Sequence, residues 1–287
     1  MFTFIYSQSA GIIINEVSNG PSGSQEWVEL LVIGDPLNPT DPVDLTGWIL
    51  DDNNGDFEAN SAGVGITTGH IIFTSAFSSV PPGSLIVIYN DQAGEQDPLL
   101  PSDDVTDSNG DNIYVLPAND ASFNVCTTTP TIGDASYICS VPVVSAALIP
   151  NVWSRVGLRN GGDAIQIRQP NGTFYHGYSY GDVDTVFPTF PINGLPSFDI
   201  GAGGTGSTFG FECSDWEESG NFFRSDNSSS TVRSPGISNS SLNQIFIDKI
   251  KNGTLDYTNL SNSANCSSIP VPVIIITNRN TTFRVNN

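Results

Sequence analysis

Ile12-Ile13-Ile14-Asn15-Glu16-Val17 opens a series of short runs that continues with Glu26-Trp27-Val28-Glu29-Leu30 and Asp44-Leu45-Thr46-Gly47-Trp48-Ile49-Leu50. Far downstream the series resumes at Leu158-Arg159-Asn160-Gly161-Gly162-Asp163-Ala164-Ile165. Each run alternates apolar and polar residues with a period of two and is rich in β-branched and aromatic side chains, the pattern of a strand with one buried face. No segment carries an equally good helical period. The chain therefore reads as all-β, a β-sandwich.

Working outward, strands are expected near 12–17, 26–33, 45–51 and 69–74, joined by loops rich in Gly, Pro and Asn. Pro81-Pro82-Gly83 is a turn that launches Ser84–Tyr89, because proline presets φ and glycine supplies the permissive geometry. A further strand is expected at 112–116. Residues 119–151 read as an insertion carrying Cys126 and Cys139. Strands then resume at 152–158, 164–168 and 173–180, the last two joined by Gln169-Pro170-Asn171-Gly172, where Asn-Gly tolerates the positive φ of a hairpin. Residues 187–210 form a long loop. Beyond Ser234-Pro235-Gly236 the texture changes: residues 242–255 carry a modest helical period through Ile245, Ile247 and Ile250, and 270–276 form an apolar strand in an Asn/Ser/Thr-rich background. The organisation expected is an N-terminal stretch 1–10, a sandwich 11–236 with its insertion 119–151, and a C-terminal extension 237–287.

At 287 residues and 38% hydrophobic, the chain is long enough to bury a real core. Asp and Glu number 30 against 9 Lys and Arg, a net charge of −21. Such a surface repels phosphate backbones, so nucleic-acid binding is not expected. No basic patch and no run of membrane-spanning length appears. Charged residues make up only 14%, with Asn, Ser, Thr, Gly and Pro taking the surface role, the look of a secreted or cell-surface protein. Four cysteines support an oxidising compartment and allow three pairings. The preferred one joins Cys126 to Cys139, closing a local loop worth on the order of 3 kcal/mol, and leaves Cys213 with Cys266; four buried free thiols are the alternative. Residues 1–10 read as the end of a secretory signal without its basic start, or as an edge strand or a disordered start.

The ordered fragments resemble a lamin-tail domain, an immunoglobulin-like sandwich found in nuclear lamins and in many secreted or surface proteins of bacteria. Ile14-Asn15-Glu16-Val17, Glu26-Trp27-Val28-Glu29-Leu30 and Asp44-Leu45-Thr46-Gly47-Trp48 are similar to its first three strands. Pro82-Gly83-Ser84-Leu85-Ile86-Val87-Ile88 and the hairpin from Asn160-Gly161-Gly162-Asp163 through Pro170-Asn171-Gly172 to Tyr178-Ser179-Tyr180-Gly181 resemble later ones, and Ser234-Pro235-Gly236 its close. The resemblance spans about 12–236 and implies an immunoglobulin-like fold without catalysis. Trp27 and Trp48 fit buried anchors of such a core, their indole N–H groups seeking an acceptor.

Candidate chemistry is sparse. The chain has two histidines, His70 and His176, too few for a histidine zinc site, and His176 is expected on a sheet surface. No nucleophile elbow or phosphate loop occurs. Two acidic loops, with Asp51, Asp52 and Asp56 in one and Asp103, Asp107 and Asp111 in the other, alternate carboxylates around a glycine in a way that suits Ca²⁺. The competing reading is a solvated turn held by Asx hydrogen bonds. No other cofactor is implied. Asn171, Asn227, Asn239, Asn252, Asn259, Asn265 and Asn280 begin glycosylation sequons, significant in a eukaryotic secretory pathway and chance otherwise.

The function expected is non-enzymatic: adhesion, scaffolding or assembly outside the cell, through protein partners or self-association. One alternative is a filament or surface-complex subunit joined by strand addition through 269–277, with Val271, Val273, Ile274, Ile275 and Ile276 as the donated strand. Another is a carbohydrate-binding module or hydrolase accessory domain using Phe174, Tyr175, Tyr178 and Tyr180, although strand alternation turns half of these inward.

Overall fold

The computed structural model describes residues 10–20, 25–52, 70–90, 96–125, 143–145, 158, 162–171, 174–181, 197–199, 207–213, 222–225, 233–257 and 263–267. Thirteen strands among them form two sheets, an immunoglobulin-like β-sandwich. The first sheet contains β1 (Gly11–Ser18), β2 (Trp27–Ile33), β5 (Leu85–Tyr89), β6 (Ile113–Pro117), β12 (Thr208–Phe211) and β13 (Phe222–Ser225), in the order β13-β12-β1-β2-β5-β6. The second contains β3 (Ile49–Asp52), β4 (Ile71–Phe73), β7 (Phe123–Val125), β8 (Val143–Ser145), β9 (Gly162–Arg168), β10 (Phe174–Gly181) and β11 (Ser197–Asp199), in the order β11-β10-β9-β3-β4-β7-β8. The third expected strand starts late. Leu45–Trp48 is a turn, in which the Thr46 N–H donates to Asp44 Oδ1 at 2.9 Å and Gly47 takes φ +82°, so pairing begins only at Ile49.

Between the sheets lies a core that includes Ile14, Val17, Val28, Leu30, Ile86, Ile88, Ile165, Ile167 and Trp48, with Trp48 edge-on to Tyr175 at a ring separation of 4.8 Å. His176 belongs to this interior and not to a sheet surface. It is fully buried, and its Nδ1 accepts from the Ile14 N–H at 3.2 Å. The reason is local: β12 accompanies β1 only from Glu16 onward, so the Ile14 amide needs a partner from outside its own sheet.

The expectation of one buried face per strand fails for the first sheet. Every residue of β1, β2 and β5 is buried, on both faces. Helix α1 (Ser241–Lys251) supplies part of the outer cover: Phe246, Ile247 and Ile250 join the core, and Phe246 meets Phe211 of β12 edge-on at 5.1 Å. Its start is fixed by Ser240, whose hydroxyl accepts from the Asn243 N–H, and Lys249 and Lys251 sit in its last turn, where positive charge suits the helix dipole. Trp27, Val87, Tyr89 and Val115 form a separate apolar cluster, covered by Leu100 and Ile113.

The outer edge of the first sheet is closed. β6 pairs in parallel with β5 through Tyr114 and Leu116, which leaves Ile113, Val115 and Pro117 facing outward. The Ile113 N–H donates to Asp111 Oδ1 at 2.9 Å, and Val115 exchanges both backbone bonds with Asp104. Pro117 has no N–H to offer. No outward donor of β6 is left for another strand, a known way of blocking edge-to-edge association. Replacing Asp111 by Ala and Pro117 by Val restores two free donors. The double variant is expected to show a larger, concentration-dependent species in light scattering relative to the unsubstituted protein, and identical masses would show that other features keep this edge unpaired.

Candidate functional site

The β1–β2 register sets Glu16 directly opposite Glu29, and both side chains are completely buried. Two carboxyls in that relation repel each other, and burial adds the cost of removing charge from water. A β-bulge between Ile14 and Glu16 inserts Asn15 as an extra residue. The bulge turns Asn15 toward the same face as Glu16, and its Nδ2 donates to Glu29 Oε1 at 2.7 Å.

A strap formed by residues 233–236 closes over the pair. The Gly236 N–H donates to Glu29 Oε2 at 2.6 Å, while the Ser234 N–H lies 3.2 and 3.3 Å from the two Glu16 oxygens. Ser234 Oγ sits 2.7 Å from Glu16 Oε2 and 3.1 Å from Asn239 Oδ1. Gly236 takes φ +77°, and a β-carbon there would come within 2.9 Å of Pro101 Cγ, so glycine is what lets the strap lie this close. Next comes Asn239, whose Nδ2 donates to the carbonyls of Asn15 at 2.8 Å and Phe211 at 2.9 Å. Its own N–H donates to Asn243 Oδ1, and Asn243 Nδ2 donates to Asn15 Oδ1. Beside the pair, Arg233 lies 2.9 Å from Asp97 Oδ2, which also accepts from the Trp27 indole at 3.1 Å.

Burial, and then the charge of Glu29, push the Glu16 carboxyl well above its ordinary range. Burial raises Glu29 to about 8, against the opposing pull of its bonds from Asn15 and Gly236. The folded protein thus retains protons at a pH where the unfolded chain has released them. Stability is fully present below the ordinary glutamate range and is lost as pH rises toward and past about 8. Each tenfold difference in proton affinity corresponds to about 1.4 kcal/mol.

The structure distributes the sequence candidates widely. Asp51 is buried in β3 and accepts from Gln166 Nε2 on β9 at 2.8 Å, which serves the second sheet. Asp52 ends β3; Asp56 lies outside the described residues. In the other loop, Asp103 accepts from the Tyr89 hydroxyl, Asp107 from the Asn112 N–H and Asp111 from the Ile113 N–H. These carboxylates hold turns and the β6 edge, and among the described residues no three His, Cys, Asp or Glu side chains converge as a metal site. Cys213 and Cys266 form a disulfide. Cys126 and Cys139 lie outside the described residues, as does the candidate strand Val271–Ile276. Trp27 and Trp48 are both buried, but only Trp48 belongs to the core between the sheets. Of the sequon asparagines, Asn171 and Asn252 are exposed, Asn239 is committed to the strap and Asn265 is buried with its Nδ2 donating to the Asp256 carbonyl. Asn227, Asn259 and Asn280 lie outside the described residues. Tyr175 is buried against Trp48, and the side chains of Phe174, Tyr178 and Tyr180 lie outside the described residues.

Sequence reasoning did not single out the pair itself. Glu16 and Glu29 occupy positions that alternation assigns to solvent, and only their place in motif-like fragments marked them.

Two measurements test the site. Thermal melts are expected to fall from about pH 5 to about pH 9, with roughly 2–4 °C for each kcal/mol in a protein of this size. Asn239→Ala strands two buried carbonyls and is expected to cost about 2–3 kcal/mol in denaturant unfolding; a loss below about 0.5 kcal/mol would mean that Asn239 does not secure the strap.

Compared with known proteins, the chain matches the family model described as Lamin Tail Domain over residues 6–182, more than half of its length. That stretch holds Glu16, Glu29 and Asp97 and ends before the strap. No match was found among curated proteins or solved structures.

Proposed function

Because the chain belongs to the lamin tail domain family, we propose that it is a non-enzymatic structural and interaction protein working outside the cell or at its surface, in adhesion, scaffolding or assembly. The observation that carries the extracellular part is the Cys213–Cys266 disulfide, which ties the residues after β12 to the short 3₁₀ turn Ser263–Cys266 beyond α1. It closes a separation of 53 residues, worth on the order of 4 kcal/mol by loop entropy. Such bonds persist in oxidising compartments and are rare in reducing ones. The net charge of −21 fits a protein that acts in the open and away from phosphate backbones. No helix among the described residues is long and apolar enough to cross a membrane.

The binding role rests on the fold. With both faces of β1, β2 and β5 covered and the β6 edge closed, partner contacts fall to loops and to other edges. A donated strand from 269–277 of a neighbouring copy would therefore have to enter somewhere other than β6.

Native material decides the compartment. Alkylation before and after reduction, read by mass spectrometry, is expected to label Cys213 and Cys266 only after reduction, and antibody on intact cells or in the medium should detect the chain. Free thiols at these positions in freshly isolated protein would overturn the extracellular reading. In the purified protein, Cys213→Ser with Cys266→Ser is expected to lower stability by about 2–4 kcal/mol.

A further inference from the structure

We propose that the folded protein holds a structural proton on Glu16, and that this proton locks the strap 233–236 onto the first sheet, so that docking of the strap is set by pH. Ser234 Oγ carries one hydrogen but has two oxygens in reach, Glu16 Oε2 at 2.7 Å and Asn239 Oδ1 at 3.1 Å. The Asn239 amide cannot be turned round, because its Nδ2 already donates to the carbonyls of Asn15 and Phe211. Its Oδ1 therefore faces Ser234 and can only accept. With the Ser234 hydrogen on Asn239, the shorter contact takes its hydrogen from Glu16, whose two oxygens otherwise share a single fixed donor, the Ser234 N–H at 3.2 and 3.3 Å, where Glu29 has two.

Glu29 is the member that ionises first, because its hydrogen-bond donors are fixed. The Asn239 backbone N–H fixes Asn243 Oδ1; Asn243 Nδ2 then fixes Asn15 Oδ1; Asn15 Nδ2 is left to donate to Glu29 Oε1. The Gly236 N–H occupies Glu29 Oε2. Both Glu29 oxygens thus receive hydrogens from groups that cannot reverse, which favours the carboxylate. Keeping at most one of the two carboxyls ionised resolves the repulsion built into the register. The other charged groups here, Asp97 and Arg233, pair with each other, and α1 presents the neutral Asn243. Burial raises Glu16 above its ordinary range, and the charges of Glu29 and Asp97 add to the rise against the opposing pull of the bonds from Ser234.

Losing the proton would set two charges face to face beneath the strap and leave Ser234 with two acceptors for one hydrogen. The strap, and with it the Asn239 and Asn243 anchors of α1, would then loosen while the core between the sheets stays packed.

Glu16→Gln and Glu29→Gln separate the two assignments. A glutamine amide at 16 donates to Ser234 Oγ at every pH, so this variant is expected to lose the Glu16 share of the fall in melting temperature between about pH 5 and about pH 9, keeping only the part that Glu29 contributes up to about pH 8, and to keep slow amide exchange across 233–251 at the alkaline end. In the unsubstituted protein, exchange in that segment is expected to accelerate over the same range before the rest of the sheet does. A glutamine at 29 points an amide N–H₂ at a donor and is expected to destabilise at every pH. The opposite result, a flat profile for Glu29→Gln with Glu16→Gln destabilised, would put the proton on Glu29 and overturn the proposal. Infrared spectroscopy of the unsubstituted protein gives a reading independent of variant folding: a protonated-carboxyl stretch at neutral pH is expected, and its absence would overturn the proposal as well.

Discussion

Two carboxyl groups, Glu16 and Glu29, stand face to face on adjacent central strands with no access to water, and much of the first sheet's outer layer is arranged to make that tolerable. Hydrophobic burial alone would exclude both. Once they are present, every neighbouring polar group acquires a fixed duty: the bulge presents Asn15, the strap brings backbone N–H groups, and Asn239 and Asn243 orient one another. A network of this kind costs heavily when half satisfied and holds a single arrangement when complete. It joins β1, β2, β12, the strap and the start of α1, elements separated by as many as 228 residues in the chain.

That joining explains why the C-terminal helix belongs to the fold. An amphipathic segment of 11 residues is marginal in isolation. Here it is capped by Ser240, anchored through Asn243 and packed through Phe246, Ile247 and Ile250, and the disulfide from Cys213 to Cys266 restrains the chain just beyond it. Covering both faces of the first sheet removes the flat, open surface that a two-layer sandwich presents on its outside. The acidic loop before β6 closes one edge in the same spirit, its carboxylates spent on backbone donors. What remains accessible among the described residues is loops and other edges, the places where a rigid framework leaves room for variation.

The sequence by itself determined the sandwich. Short β-branched and aromatic runs bounded by Gly, Pro and Asn, the Asn171-Gly172 hairpin signal and the order of the fragments located β1, β2, β5, β6, β9 and β10 to within about two residues, because strand-forming side chains and turn residues act locally. Composition determined the acidity, and the even cysteine count pointed to the 213–266 bond. Other matters only the tertiary structure decided. A glutamate between apolar residues on a strand reads as solvent-facing, and nothing local reveals that a strap more than 200 residues away will bury it. His176 reads as a surface residue until the missing neighbour of Ile14 draws it inward, and only the fold shows which backbone and side-chain donors the aspartates of 103–111 accept from. In each case the deciding partner is distant in sequence, and the role of a polar side chain is set by which donors and acceptors the fold brings within 3 Å or so of it.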